Sequence, residues 1–130
     1  MFHIDQRSST PIYQQLVQEV KAAVLRGVLL PGDKLPSVRE LASRLAINPN
    51  TIQKSYQELE RQKVIETLRG KGTFVCFDYQ VREDEERMGL FQNNLRKILV
   101  EAHYLGLNQE RILALVTKQL EELGIGEGKR

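Results

Sequence analysis

Three features of the 130-residue sequence predict an α+β chain that is mainly α. Apolar residues recur at helical spacing in five separate stretches, start and stop signals bracket those stretches, and one pair of short β-prone runs interrupts them. Thr10-Pro11 opens the first helix, because threonine can cap free N–H groups and proline suits the first helical position. Ile12, Leu16, Val20 and Val24, with Tyr13 and Val17 beside them, make one buried stripe, and Gly27 closes it. In the next segment, Val28 to Pro36, Pro31-Gly32 reads as a tight turn, since proline fixes φ and glycine accepts a positive one.

Ser37-Val38-Arg39-Glu40 matches a capping box, in which the serine oxygen and the glutamate carboxylate each satisfy the other's backbone N–H. Val38, Leu41, Ala42 and Leu45 follow as a one-sided stripe over a second helix of about ten residues. Asn48-Pro49 repeats the start signal only a few residues later and leads into a third helix ending near Lys63. Two short helices joined by a tight turn are a helix-turn-helix. On the third helix Ile52, Tyr56 and Leu59 fall in one narrow sector, and Asn50, Gln53, Lys54, Gln57 and Arg61 lie opposite. That outer face carries amides and cations but no acid. Amides pair with adenine edges and lysine with guanine or phosphate, so the face suits a helix reading the major groove, although an ordinary solvated face has similar composition.

Val64 to Leu68 and Thr73 to Phe77 read as a hairpin around Arg69-Gly70-Lys71-Gly72. Glycines let its tip approach a phosphate or the minor groove, and Arg69 and Lys71 supply charge there. A nucleotide-binding phosphate loop would need a G-x-x-x-x-G-K-[ST] pattern and a following helix, and both are missing. The hairpin is therefore expected to be the wing of a winged helix-turn-helix spanning 1–77.

From Asp78 the composition shifts. Residues 1–77 hold 11 Lys+Arg against 7 Asp+Glu, whereas residues 78–130 hold 8 against 10, so positive charge concentrates in the first part. Met88, Phe91, Leu95, Ile98, Ala102 and Leu105 alternate spacings of three and four, the seam of a helix packed lengthwise on another helix. Gly106 ends it, and Asn108 caps a last helix carrying Ile112, Leu113, Val116, Leu120 and Leu123, with Leu107 and Ile112 placed as a hydrophobic staple. Residues 78–124 are expected to form a two-helix segment and 125–130 a loose tail. So short a pair cannot bury both stripes alone; it packs on the other domain, on a second copy, or on both. Dimerisation through Phe91, Leu95, Ile98, Ala102, Ile112, Val116 and Leu120 is the favoured reading.

The words Leu35-Pro36-Ser37-Val38-Arg39-Glu40-Leu41-Ala42, Asn48-Pro49-Asn50-Thr51-Ile52, Tyr56-Gln57-Glu58-Leu59-Glu60 and Arg69-Gly70-Lys71-Gly72-Thr73-Phe74-Val75 resemble those of the GntR family of bacterial transcription factors. With Phe2-His3-Ile4-Asp5, Pro11-Ile12-Tyr13 and Leu105-Gly106-Leu107, the resemblance extends to the YtrA-type branch over nearly the full length. It implies a regulator, expected to be a repressor, that binds a palindromic operator in double-stranded DNA as a homodimer. It further implies that Arg39, the helix start over Asn48, Pro49, Asn50, Thr51 and Gln53, and the wing residues Arg69 and Gly70 touch DNA. The outer face and the wing tip add Lys54, Gln57 and Lys71. Two positions depart from the family pattern: Gln53 stands where many members place arginine, and Lys63 where a glycine often follows the recognition helix.

Other functions find less support. His3 and His103 are isolated, Ser8, Ser9 and Ser37 read as caps or turns, and the acidic run Glu83 to Glu86 reads as a solvated helix start, so no enzyme is expected. The lone Cys76 allows no internal disulfide and no cysteine-based metal site, and no metal or cofactor is expected. No apolar run approaches the roughly 20 residues of a membrane span, and Met1 to Arg7 lacks the apolar stretch of a secretory signal, so a cytoplasmic location is expected. A nonspecific architectural DNA binder would use the same cations without reading bases. A helical pair of about 50 residues leaves little room for a typical effector cavity, and the sequence names no effector.

Overall fold

A computed structural model of the chain describes residues 2–77 and 84–125. Among them the elements run α1 (Ile12–Leu25), α2 (Val38–Leu45), α3 (Pro49–Arg61), β1 (Ile65–Leu68), β2 (Gly72–Val75), α4 (Glu85–Tyr104) and α5 (Gln109–Leu123). The chain divides into two compact units, Met1–Tyr79 and Gln80–Arg130. The boundary expected after Phe77 adjoins residues 78–83, which lie outside the described residues, as does most of the expected tail, 126–130.

In the first unit the stripes of three helices meet. Leu16, Val17, Val20 and Ala23 of α1 join Leu41 and Ala42 of α2, Ile52, Tyr56 and Leu59 of α3, and Val64, Ile65 and Val75 at the wing base. Leu16, Val20, Ile52, Leu59, Ile65 and Val75 are fully buried. Each such side chain contributes about 1.5–3 kcal/mol by leaving water, so this cluster holds α3 in place. Ser55 is also fully buried, with its hydroxyl 3.0 Å from the Tyr13 carbonyl and 3.2 Å from that of Thr51. A polar group in the core is thus satisfied while tying α3 to α1.

Several boundaries differ from the sequence-based expectation, each for a local reason. Thr10 does not cap α1; Pro11 is the N-cap residue and no side chain caps it. The backbone of Thr10 is held instead, its N–H donating to Ser8 Oγ at 3.0 Å and its carbonyl accepting from Gln15 Nε2 at 2.8 Å. Helix α2 is 8 residues long, because Ala46 adopts a left-handed φ of 56° and the Ile47 N–H turns back to the Ala42 carbonyl at 3.0 Å. Helix α3 stops at Arg61, and Lys63 takes a φ of 63°. The lysine therefore performs the left-handed helix exit that glycine makes easily, and the Val64 N–H closes on the Leu59 carbonyl at 3.0 Å.

The wing strands pair antiparallel with Ile65 opposite Val75 and Leu68 opposite Gly72, leaving Arg69, Gly70 and Lys71 as the tip. β2 thus starts one residue earlier and ends two residues earlier than expected. Asp33 to Leu35, read from sequence as part of a turn, runs along β2 as an extra edge: Leu35 N–H donates to Thr73 at 2.8 Å, and Val75 N–H donates to Asp33 at 2.8 Å. The Pro31-Gly32 turn is present, with Gly32 at φ 88° and the Asp33 N–H reaching the Leu30 carbonyl at 2.9 Å.

In the second unit Asp84 caps α4 by accepting from the Arg87 N–H, Asn108 caps α5 by accepting from the Arg111 N–H, and Gly106 turns the chain with a φ of 80°. Ile125, expected in the loose tail, still donates its N–H to the Leu120 carbonyl at 3.1 Å. The seam does not pack lengthwise on α5. The two helices share few close backbone approaches, Ala102 beside the turn is the one buried residue of α4, and α5 buries none. Met88, Phe91, Leu95, Ile98, Leu99, Leu105, Leu113 and Val116 are left exposed.

Candidate nucleic-acid interface

The capping box at the start of α2 is complete: Glu40 N–H donates to Ser37 Oγ at 3.1 Å and Ser37 N–H donates to Glu40 Oε1 at 2.9 Å. These bonds from Ser37 hold the Glu40 carboxyl below its usual range, with a smaller lowering from the charges of Arg44 and Lys34. Neither bond uses Arg39. Its side chain stands exposed in the first turn of α2.

Helix α3 is anchored from beneath and presents a polar face above. The Tyr56 hydroxyl donates to the Pro36 carbonyl at 2.6 Å, tying α3 to the loop that enters α2. Burial, reinforced by the Glu40 charge, pushes the Tyr56 phenol up to about 12, so it stays a donor. Asn50, Gln53, Lys54 and Gln57 are all exposed, whereas Thr51 is half-buried. Asn48 accepts the Asn50 N–H on its side-chain oxygen at 2.8 Å, which leaves its amide N–H groups and a second oxygen lone pair for a ligand. Pro49 occupies the first helical position and is exposed. Arg61 folds onto Glu58 at 2.6 Å, so that cation of the outer face is already compensated.

The wing tip exposes Arg69, Gly70 and Lys71, with Gly70 at φ 76° in a turn closed by the Lys71 N–H on the Leu68 carbonyl at 2.9 Å. Lys34 is a cation that sequence analysis does not single out. Its stem lies across Gly72, where a Cβ would meet Lys34 Cε at 2.8 Å, and Gly72 has a φ of 121°. At that φ a side chain at position 72 would strain the backbone, whereas the flexible end of the lysine can move aside. Asp33-Lys34-Leu35 places two charged residues before a single apolar one, so no apolar-polar alternation marks this strand-like course in the sequence. Lys34 acts electrostatically on Glu40, and Glu40 on the buried Tyr56.

Away from these cations, Glu60, Lys63, Glu66, Cys76 and Phe77 line a shallow pocket with Ile65. Its two carboxylates repel phosphate. Burial and the Glu66 charge push the Cys76 thiol up, which keeps it protonated and weakly nucleophilic. Among the described residues no cluster of His, Cys, Asp and Glu could hold a metal ion, and no helix is long and apolar enough to cross a membrane.

Comparison with known proteins gives the family. Residues 12–75 match the family model described as bacterial regulatory proteins, gntR family. Over 112 residues the chain is 47% identical to the HTH-type transcriptional repressor YtrA of Bacillus subtilis (strain 168), covering 86% of each protein. The chain belongs to the GntR family. It is a DNA-binding transcriptional regulator, and its relatives and fold are those of regulators, not enzymes. A transcriptional antiterminator from Listeria monocytogenes EGD-e superposes with a TM-score of 0.85 at 40% identity, over 100% of this chain and 97% of that one. The DNA-binding domain of AraR in complex with operator ORX1 superposes with a TM-score of 0.53 at 26% identity, over 58% of this chain and 96% of that one. The GntR matched region takes in α1, α2, α3 and both wing strands, the elements that carry the exposed cations and amides.

Proposed function

We propose that this GntR regulator is a cytoplasmic repressor that binds a two-fold symmetric operator as a homodimer. The observation that carries the dimer is the open seam of the second unit, where Phe91 and Ile98 are 63% and 64% exposed and Val116 is 46% exposed. An apolar array of this extent is stable in water only when covered, and a second copy offers the same array in return. Phe91, Leu95, Ile98, Ile112, Val116 and Leu120 are the residues assigned to that interface, with Ala102, already buried within its own chain, beside them. One winged unit reads one half-site, and tethering two raises the effective concentration of the second, a gain of about a hundredfold or more. The repressor name of the B. subtilis relative and the operator bound by AraR support the same reading.

Within each half-site Asn50, Gln53 and Gln57 read base edges from α3, Arg39, Asn48, Pro49 and Thr51 contact the backbone around the helix start, and Arg69, Gly70 and Lys71 approach through the wing. Selection of bound duplexes from a random pool, with sedimentation of the same protein, tests this. A sharp palindrome bound by a dimer is expected. A single half-site motif bound by a monomer overturns the symmetric reading, and the lack of any consensus overturns base reading altogether.

A further inference from the structure

The reading helix carries a cation whose position is set by another helix. Lys54 Nζ sits 4.0 Å from the centroid of the Tyr13 ring, although the two residues belong to α3 and α1. Tyr13 is itself held at both ends: its carbonyl lies 3.0 Å from Ser55 Oγ, and its hydroxyl accepts from Gln14 Nε2 at 3.1 Å. That second bond leaves the phenolic proton free to donate elsewhere. Among the described residues no carboxylate forms an ion pair with Lys54, so its charge is uncompensated. The first turn of α1, which contains Tyr13, has no side-chain cap, and the positive end of the helix dipole adds to the same place.

We infer that Lys54 and Tyr13 form a phosphate clamp at the α1 side of the reading helix, with Lys54 binding the DNA backbone and Tyr13 acting as its positioning residue. A lysine drawn over a neighbouring ring is directed off the α3 axis toward α1, away from the base edges that Gln53 and Gln57 face. An exposed cation–π contact of this kind is worth about a two- to fivefold bias toward one side-chain position. The clamp therefore adds affinity and register but no sequence preference.

The inference rests on the DNA-binding reading, and the test separates the two. Full-length protein is titrated over a range of salt concentrations against the selected operator and against a random-sequence duplex of equal length. Lys54→Ala is expected to lower the slope of log affinity against log salt by about 0.9 per bound chain on both duplexes, with base preference unaltered. Tyr13→Leu is expected to weaken binding about two- to fivefold per bound chain. Tyr13→Phe, which keeps the ring, recovers most of that loss, and Tyr13→Leu adds nothing in a Lys54→Ala background. An unaltered slope with relaxed preference at one operator position makes Lys54 a base reader and overturns the clamp. Equal losses from Tyr13→Leu in both backgrounds reduce Tyr13 to a packing residue. If Tyr13→Leu does not fold, Tyr13→Met, which also removes the ring, takes its place in the cycle with Lys54→Ala. If the wild-type chain selects no operator, the symmetric-operator reading fails, while the random-duplex slope still decides the role of Lys54.

Discussion

Placing a charge in the seam of α4 separates association from folding, and Ile98→Glu does so most cleanly. Ile98 is 64% exposed within its own chain, so little of its packing belongs to the monomer. Burying an isoleucine fully is worth about 1.5–3 kcal/mol, and the share still exposed corresponds to about 1–2 kcal/mol. In a two-fold interface each substitution counts twice, which gives a loss of about 2–4 kcal/mol, or a dimer dissociation constant raised about thirty- to several-hundred-fold. An unpaired carboxylate in a covered seam adds a desolvation cost or must take up a proton, so the loss lies at the upper end. Glutamate is a good helix former, and α4 itself should persist. Sedimentation velocity over a protein concentration series reads the dissociation constant, and far-UV circular dichroism on the same samples reads helix content. The substituted chain is expected to be largely monomeric at concentrations where the wild type is dimeric, with helix content within error of the wild type and affinity for an isolated half-site retained. A dimer constant within threefold of the wild type at equal helix content would place the interface elsewhere and refute the assignment of the exposed seam.

Gln53→Ala removes an exposed amide from α3 and is expected to weaken operator binding by about 1–3 kcal/mol per half-site, with relaxed preference at one position in each half-site by repeat selection. Arg69→Ala combined with Lys71→Ala should lower the salt slope by roughly 2 per wing if both cations meet phosphates; an unaltered slope and unaltered A·T flank preference remove the wing from the interface. Tyr56→Phe deletes the bond to the Pro36 carbonyl and is expected to cost about 1 kcal/mol in denaturant unfolding near neutral pH. Because the folded phenol is raised from 10.0 to about 12, its contribution is fully present below pH 10 and is lost as pH rises through 12. The stability difference between wild type and Tyr56→Phe should therefore shrink across that window, and a constant difference would show that Tyr56 does not titrate as the fold requires.

What could be read along the chain was set by near neighbours. The Ser37–Glu40 capping box, the Asn48-Pro49 start of α3, the turn at Pro31-Gly32 and the glycine-bearing wing tip depend on groups within four residues of each other, and all appear as expected. The polar face of α3 was legible for the same reason, since the burial of Ile52, Tyr56 and Leu59 fixes which side turns outward. Contacts across the chain were not legible, because neither spacing nor propensity records which distant group will be adjacent. Lys54 reads as one cation of a face until Tyr13, 41 positions earlier, is found beneath it. Lys34 reads as part of a turn until β2 supplies a strand to run along, and the need for glycine at position 72 follows from the φ of 121° that the hairpin gives it. Lys63 shows packing overruling local preference: the buried Leu59, Val64 and Ile65 fix where β1 begins, and the lysine accepts a left-handed backbone to meet it. The apolar spacing of α4 and α5 fixed which faces need cover, but whether the two helices cover each other is a matter of tertiary geometry, and they diverge from the turn with their seams open.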